Sequence, residues 1–338
     1  MHIWLISLLA FAVACGGSPQ EPVSEPSPTP PAVAPTPAPG AVTEAEKPVA
    51  PPPSAAPAAA AEATRAPDKV SFCGKEFEPT ETRATCTASR PMVLTGIEGF
   101  TALEELTLEG GGITDLGPLA KLAHLRTLTL DDTAVRDLSP LAGVATLREL
   151  SLGRVTSQSV LTSLARLQQL RKLRTVALPT FEPLAALPGL LVLDARLATG
   201  TDLRHLSALT DLCKLDLRGV PLDRQQLAII GGLRQLQELN LSSAGIADIK
   251  ALAPLRQLVD LDLSDNPIAN VSTLHGLRHA DQIDLRSTRV SARRAKKLAR
   301  KSTINHLYHG EGEHLVGKQR SEELLPCALR VQLEPKSE

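Results

Sequence analysis

Aliphatic residues recur along this chain with a period of 22 residues. The pattern Leu-x-x-Leu-x-Leu begins at Leu103 and again at Leu125, and it returns from Leu236 and Leu258. A fixed period of this size is typical of a solenoid, in which each repeat buries its apolar face against its neighbours. The period therefore predicts an elongated repeat domain.

Each repeat divides into a strand and a compact helical return. The last two leucines of the pattern are two positions apart, so both point to one side of a strand. The next apolar residues come every three positions, as in Ile113, Leu116 and Leu119, which favours 3₁₀ turns. An Asp or Asn recurs just before the return and can cap it by accepting a backbone N–H. These capping residues are Asp115, Asp137, Asp202, Asp248 and Asn270. We predict an α/β solenoid with parallel strands on its concave face and short helical turns on its convex face.

The pattern LxxLxLxxxxIxDLxPLxxLxx resembles the leucine-rich repeat of the short bacterial, internalin-like subtype, over about residues 81 to 300. The resemblance implies a solenoid that offers a binding surface and no reaction centre. The turn asparagine of the family pattern survives only as Asn266, so we expect less regular turns elsewhere. A longer repeat from Leu147 to Leu173 and a shorter one from Leu173 to Leu190 imply a true helix followed by a trimmed turn.

Terminal repeats need caps, because they would otherwise expose the core. We assign residues 69–102 to an N-terminal cap with a degenerate first repeat, 103–289 to the solenoid, and 290–338 to a C-terminal cap and tail. In the last segment, SARRAKKLARK predicts a helix and Ile304-x-x-Leu307 an edge strand. Residues 310–338 are predicted to be a polar tail with one apolar patch, LLPCALRV.

The cysteines point to an oxidising compartment. Cys86 takes a strand-core position of the degenerate repeat, and we predict that it forms a disulfide with Cys73. Burial of both as reduced thiols is the alternative. The sequence leaves open whether Cys213 and Cys327 pair, because pairing would require the tail to fold back onto the solenoid.

The first 68 residues differ in kind from the rest. Residues 1–14 have the apolar stretch of a signal peptide, which is too short to span a bilayer. The run Ala12-Val13-Ala14-Cys15 resembles a bacterial lipobox, which implies a lipid on Cys15; an ordinary Ala-x-Ala cleavage site also fits. Gly16 after the cysteine implies the outer membrane, by resemblance to Gram-negative lipoproteins. Residues 15–68 contain 15 of the 27 prolines and predict a disordered tether between lipid and solenoid.

Composition and motifs argue against catalysis and nucleic-acid binding. The net charge is −1 and aromatic residues make up 2%, which gives no basic footprint and no stacking platform for bases. The motifs GxSxG, HExxH and CxxC are absent, so we expect neither an enzyme nor a cofactor. His306, His309 and His314 could hold Zn²⁺, but a solvated capping segment is the preferred interpretation and no metal site is assigned.

The fifth position of each repeat points to the concave face, which we predict to bind a protein partner through its C-terminal half. That row starts small and neutral, with Ala177 counted among its members, and becomes acidic, while Val192 and Leu197 add apolar surface. The alternative is an envelope glycan or lipopolysaccharide bound by the basic run that begins at Arg289. The predicted contact residues are Asp194, Arg196, Asp216, Arg218, Asn240, Asp262, Asp284 and Arg286.

Overall fold

The computed structural model describes residues 69–155, 157–200, 202–302, 304–316 and 327. The predicted signal peptide, Cys15 and the tether lie outside the described residues. Among these residues, twelve strands form one sheet in the order of the chain, and every neighbouring pair is parallel except the last. The predicted α/β leucine-rich repeat solenoid is confirmed.

A short hairpin precedes this sheet, and the strands are numbered through both. The hairpin strands are β1 (Val70–Phe72) and β2 (Lys75–Phe77). The sheet contains β3 (Arg83–Thr87), β4 (Glu105–Glu109), β5 (Thr127–Asp131), β6 (Glu149–Arg154), β7 (Lys172–Val176), β8 (Val192–Arg196), β9 (Lys214–Asp216), β10 (Glu238–Asn240), β11 (Asp260–Asp262), β12 (Gln282–Arg286), β13 (His306–Gly310) and β14 (Glu313–Val316).

The strand register places equivalent residues of successive repeats opposite one another. Leu106 and Leu108 are buried while Thr107 between them faces solvent, as the two-residue alternation of a strand requires. Leu106 pairs with Leu128 on the next strand, so the core leucines form continuous columns. A slip of one residue would move a whole strand's leucines into water, and this fixes the register.

The returns behind the sheet are 3₁₀ turns or short helices, as the spacing predicts. The capping role of the recurring acid is visible at Asp115, whose Oδ1 accepts from the Gly117 N–H at 2.8 Å. The longer returns are α1 (Gln158–Leu164), α2 (Arg224–Gly231) and the end helix α3 (Ala292–Lys301). The 3₁₀ turns are Ile97–Gly99, Gly117–Lys121, Ser139–Gly143, Glu182–Ala186, Leu203–Ala208, Lys250–Leu252 and Ser272–Gly276.

The repeat around β7 begins three residues earlier than the pattern indicates. Leu173 pairs with Leu150 and Leu193, so the repeat starts at Leu170 and the solvent-facing fifth position is Arg174. The assignment of Ala177 to that row was wrong. Thr175 occupies the third core position of this repeat, where most other repeats have a leucine. It is 2% exposed, and its hydroxyl donates to the Gly153 carbonyl at 3.3 Å.

Asn266 holds the turn where the family's asparagine survives. Its Oδ1 accepts from the N–H groups of Ala244 at 3.1 Å and Ile246 at 2.9 Å. Its Nδ2 donates to carbonyl oxygens that include those of Leu241 and Leu263, at 2.8 and 3.0 Å. A single side chain that is 1% exposed thus satisfies buried backbone groups of two adjacent repeats.

The N-terminal cap closes the first coil. The hairpin brings Phe72 against Phe100 at 5.9 Å between ring centroids, in an edge-to-face arrangement. A disulfide joins Cys73 to Cys86, and Cys86 is fully buried at the core side of β3. The cap therefore combines an aromatic cover with a covalent link to the first strand of the sheet.

The C-terminal end has more structure than the sequence indicates. The predicted helix and edge strand are present as α3 and β13. The polar-tail prediction is wrong for Glu313–Val316, because this segment turns back and pairs antiparallel with β13 as β14. A second disulfide joins Cys213 to Cys327. Among the described residues, no helix combines the length and apolar character needed to cross a membrane.

We predict that Asn266→Ala lowers the free energy of unfolding by about 3 kcal/mol, because buried N–H groups lose their acceptor. The matched control is Asn270→Ala, which removes an exposed cap to the Ser272 N–H and should cost about 1 kcal/mol. Urea unfolding followed by circular dichroism measures both. Equal losses for the two variants would contradict the structural role given to Asn266.

Candidate functional site

The side of the sheet that points away from the leucine core is named the strand face here; it is the predicted concave face. Its central row consists of the residues at the fifth position of each repeat, aligned by the register of the strands. From β4 to β13 the row contains Thr107, Thr129, Ser151, Arg174, Asp194, Asp216, Asn240, Asp262, Asp284 and Tyr308. The side chains from Thr107 to Ser151 are small and uncharged. From Arg174 onward the row has charged or larger polar side chains.

Three aspartates of this row pair with an arginine two positions later on the same side of the strand. These Asp–Arg pairs are Asp194 with Arg196, Asp216 with Arg218, and Asp284 with Arg286. Their carboxylate side chains are only 11%, 9% and 7% exposed, whereas the arginine side chains are 32%, 46% and 53% exposed. The strand face therefore presents guanidinium groups to solvent and keeps the carboxylates beneath them.

The carboxylates also bind the backbone at the end of the strand. Asp284 Oδ1 accepts from the Arg286 N–H at 2.9 Å and from its Nε at 3.0 Å. Asp216 makes the equivalent contacts to Arg218 at 3.1 and 3.2 Å. Such charge-assisted, forked bonds fix the arginine side chain in one orientation. The sequence indicates these pairs, because each arginine follows an aspartate by two residues and so lies on the same side of the strand.

Asp194 lies between two arginines. The Nε of Arg174 on β7 is 3.5 Å from Asp194 Oδ2, and Arg196 binds the same carboxylate from its own strand. Burial alone would raise the pKa of the Asp194 carboxyl. The hydrogen bond and charge of Arg196, together with the charge of Arg174, outweigh burial and hold that pKa below its usual range.

Asn240 and Asp262 interrupt the Asp–Arg pattern on β10 and β11. Asn240 Nδ2 donates to Asp262 Oδ2 at 3.0 Å across the strands. Each accepts from a serine two residues later, Ser242 at 2.8 Å and Ser264 at 2.6 Å between the side-chain oxygens. This part of the face satisfies its polar groups internally and presents no arginine.

Arg174, Arg196 and Arg218 form an arginine cluster across β7 to β9. The three line one depression of the strand face with Lys172 and Lys214. These two lysines form ion pairs across the strands with Glu149 and Glu238. The cluster contains three guanidinium groups and two buried carboxylates, so it has an excess of positive charge.

Fewer apolar side chains are exposed on the strand face than the sequence indicates. Leu197 is 53% exposed and has a positive φ of 55°, an unusual conformation for a bulky side chain. Val192, predicted to be exposed, is 6% exposed because Cys327 and Cys213 pack against it. Leu197 is therefore the apolar contact available beside the arginine cluster.

The three histidines of the C-terminal cap do not converge. His306 and His314 face each other across β13 and β14, with Nδ1 and Nε2 3.1 Å apart. His309 points to the other side of β13 and is 2% exposed. Among the described residues, no group of three or more His, Cys, Asp or Glu side chains could hold a metal ion. The neighbouring Tyr308, which the sequence did not single out, lies under Arg286 at 5.8 Å.

The end helix α3 presents a basic surface. It buries Ala295, Leu298 and Ala299 and turns its basic residues outward. Burial, together with the nearby charges of Lys297 and Lys301, lowers the pKa of His275. The outward basic residues of the helix are Arg293, Arg294, Lys296, Lys297, Arg300 and Lys301.

Comparison with known proteins finds similarity only among solved structures. No model of a known family matches the sequence. No curated protein matches it either. The structure is similar to an internalin (InlF) from Listeria monocytogenes, with 21% identity and a TM-score of 0.46 over 70% of this chain and 84% of that one. It is similar to internalin C2 of the same organism, with 24% identity and a TM-score of 0.38 over 62% and 79% of the two chains. A leucine-rich repeat protein of Leptospira interrogans has 17% identity and a TM-score of 0.46 over 69% and 78%.

We predict that Arg196→Ala makes the solenoid unfold at higher pH during acid titration. A carboxyl group whose pKa is lower in the folded protein stabilises the fold at pH values above its pKa in the unfolded chain, about 4. This stability is lost as the pH falls through the pKa of the folded state. Without Arg196 the burial of Asp194 raises its pKa, so the loss begins at higher pH. At pH 7 we expect about 2–3 kcal/mol less stability.

The control is Arg83→Ala on the same face. The Arg83–Glu105 pair is 76% and 46% exposed, and we expect a loss below about 1 kcal/mol with no shift of the acid midpoint. Circular dichroism between pH 2 and 7 measures all three proteins. An Arg196→Ala midpoint equal to that of the wild type would show that the Asp194 pair adds no pH-dependent stability.

Proposed function

We propose that this chain is a lipid-anchored, non-catalytic protein of the bacterial cell envelope whose solenoid binds a partner protein through the strand face. The observation that carries the proposal is the arginine cluster of Arg174, Arg196 and Arg218 beside the exposed Leu197. Arginine is enriched where proteins bind one another, because its planar fork recognises carboxylates and its stem covers apolar surface. The partner fitted by this surface is an acidic protein segment with an apolar side chain for Leu197.

The cluster is held ready for binding. Arg196 and Arg218 are each fixed by a buried aspartate, so less side-chain freedom is lost when a partner binds. Those aspartates neutralise part of the charge and leave the outer N–H groups exposed. This arrangement favours modest affinity with a strong dependence of the association rate on salt.

We expect the double variant Arg174→Ala/Arg218→Ala to capture the partner at least tenfold more weakly, because each substitution removes an exposed guanidinium group from the proposed binding surface. Full-length protein is used as bait in cell-envelope extracts, and captured proteins are quantified by mass spectrometry at low and high salt. The control bait is Arg83→Ala, which removes an exposed arginine from the N-terminal end of the same face. Equal capture by all three baits would exclude the arginine cluster as the binding site.

Membrane attachment is proposed from the N-terminal sequence. Cys15 follows an apolar signal-like segment and precedes a proline-rich stretch. A lipid on Cys15, with outer-membrane sorting indicated by Gly16, would place the solenoid at the end of a tether that reaches on the order of 160 Å when extended.

We expect the mature protein to begin at Cys15 with a diacylglycerol thioether. Mass spectrometry of the N-terminal peptide detects it, and Cys15→Ser should move the protein from the membrane to the soluble fraction. An unmodified cysteine, or a mature start at another residue, would contradict lipid anchoring. Both results concern the membrane anchor alone, and the solenoid is expected to fold in either case.

A second candidate function rests on the end helix α3. Its outward basic residues, such as Arg293 and Lys297, form a surface that fits an anionic envelope glycan or lipopolysaccharide. We expect Arg293→Glu with Lys297→Glu to abolish salt-sensitive binding to lipopolysaccharide micelles, while Arg174→Ala with Arg218→Ala leaves it unchanged. No binding by the wild type at low salt would exclude this function.

A further inference from the structure

Three rows of side chains cover the strand face. The third, fifth and seventh positions of each repeat point to this face, because they alternate with the buried core positions. On β4 these positions hold Glu105, Thr107 and Glu109, which pair with the same positions of β5. The register of the other strands continues the rows, so each row forms a line of side chains across the sheet.

The charge of the two outer rows, the third and seventh positions, changes sign between β6 and β7. The acidic residues before this boundary are Glu105, Glu109, Asp131 and Glu149. The basic residues after it are Lys172, Arg196, Lys214 and Arg218. One strand further out on each side the sign reverses, with Arg83 on β3 and Glu238 on β10. The outer rows therefore carry opposite charges at equal distances from the boundary.

A surface with this pattern is complementary to a second copy of itself. The second copy is placed face to face with the first by a two-fold axis that runs parallel to the strands at the boundary. This operation brings β6 opposite β7, β5 opposite β8, and β4 opposite β9. Because both sheets have the same strand spacing, about 4.8 Å, the opposition holds along the whole contact. The same patch is used on both copies, so the interface closes as a dimer.

Opposite charges meet throughout this arrangement. At the axis, Lys172 faces Glu149 of the partner subunit. In the same way Glu105 faces the partner's Lys214, Glu109 faces the partner's Arg218, Asp131 faces the partner's Arg196, and Arg83 faces the partner's Glu238. The irregular end of β6 sets Arg154 in register with Val176, so Arg154 faces an uncharged residue, the partner's Val176. Along these described rows no charged residue faces one of the same sign, which would cost several kcal/mol for each close contact.

The ion pairs within one chain extend into larger networks across the axis. Arg83 binds Glu105 at 2.9 Å, and Lys214 binds Glu238. In the dimer these two pairs face each other with the charges reversed, so that four charges alternate. Their side chains are between 32% and 76% exposed, so they are accessible to a second copy. An isolated exposed pair contributes little, whereas a network of several charges contributes more.

Side-chain size is also complementary across the axis. The central row is short on β4 to β6 and longer on β7 to β9. Thr107, Thr129 and Ser151 face Asp216, Asp194 and Arg174 of the partner subunit. Val192, which Cys327 covers, faces the partner's Thr127, a short residue that leaves room for the covering cysteine. The bulkier half of one strand face thus meets the shallower half of the other.

We propose that the strand face binds a second copy of this chain, as a two-fold dimer in which β4 to β6 of each copy lie against β7 to β9 of the other. The proposal rests on the proposed function, because it takes the arginine cluster as a protein-binding site. It identifies the acidic partner as the other half of the same face. The contact spans five strand spacings, about 24 Å, and a charged interface of this size fits a reversible dimer.

Sedimentation equilibrium of the full-length chain measures the dimer dissociation constant at low and high salt. Every protein carries Cys15→Ser, so that a lipid does not contribute to association. The variants are Glu105→Lys, Lys214→Glu and the double variant Glu105→Lys/Lys214→Glu, which restores opposite charges across the interface. The control is Asp265→Lys, which reverses the same charge at an exposed turn outside the contact. Circular dichroism verifies that each variant is folded.

We expect the wild type to dimerise with a Kd on the order of micromolar at low salt and more weakly at high salt. Each single reversal should raise the Kd by about tenfold or more, because two-fold symmetry repeats the like-charge contact. The double variant should return to within about threefold of the wild type, since its exposed charges attract again. Asp265→Lys should match the wild type.

Two results would overturn the dimer. A wild type that remains monomeric at about 100 µM and low salt would exclude self-association. A double variant that is as weak as the single reversals would exclude the facing of Glu105 and Lys214. Capture from cell-envelope extracts separates either failure from that of the proposed function, because Glu105 lies outside the arginine cluster. Loss of capture by the Arg174→Ala/Arg218→Ala bait, with capture by Glu105→Lys unchanged, would overturn the dimer and leave the proposed function standing.

Discussion

Each coil of this solenoid buries its leucines only against the coils on either side, and the rest of the structure depends on that nearest-neighbour packing. Columns such as Leu106 on Leu128 require each repeat to pair with the next in the same register. The strands therefore follow one another across the sheet in the order of the chain. The first and last coils lack one neighbour, so the ends need other means of closure. The N-terminal end has an aromatic hairpin and a disulfide, and the C-terminal end has α3 and an antiparallel strand.

A regular sheet also constrains charge on the strand face. Neighbouring fifth positions are about 4.8 Å apart, so a row of unpaired aspartates would repel strongly. The chain resolves this by pairing Asp194, Asp216 and Asp284 with arginines on their own strands. The same pairs supply exposed guanidinium groups in fixed positions. The stability of the strand face and the proposed binding of an acidic partner thus depend on one arrangement.

The second disulfide brings Cys327 to the strand face, where it lines the same depression as the arginine cluster. At the strand ends, the guanidinium groups of Arg196 and Arg218 remain partly exposed. At the strand starts, Cys327 covers Val192 and is fixed to Cys213.

The sequence by itself determined the solenoid, its parallel sheet, the capping of the 3₁₀ turns and the positions of the longer helices, because these depend on local spacing and on residues within one repeat. It could not determine which register β7 adopts, since Leu170, Leu173 and Val176 permit two alignments and the buried Thr175 is satisfied only by a carbonyl of the preceding coil. It indicated that arginines would lie near the aspartates, yet it could not show that the carboxylates are buried and the guanidinium groups exposed. That outcome, like the union of Cys213 with Cys327, depends on contacts between residues that only the stacked coils bring together.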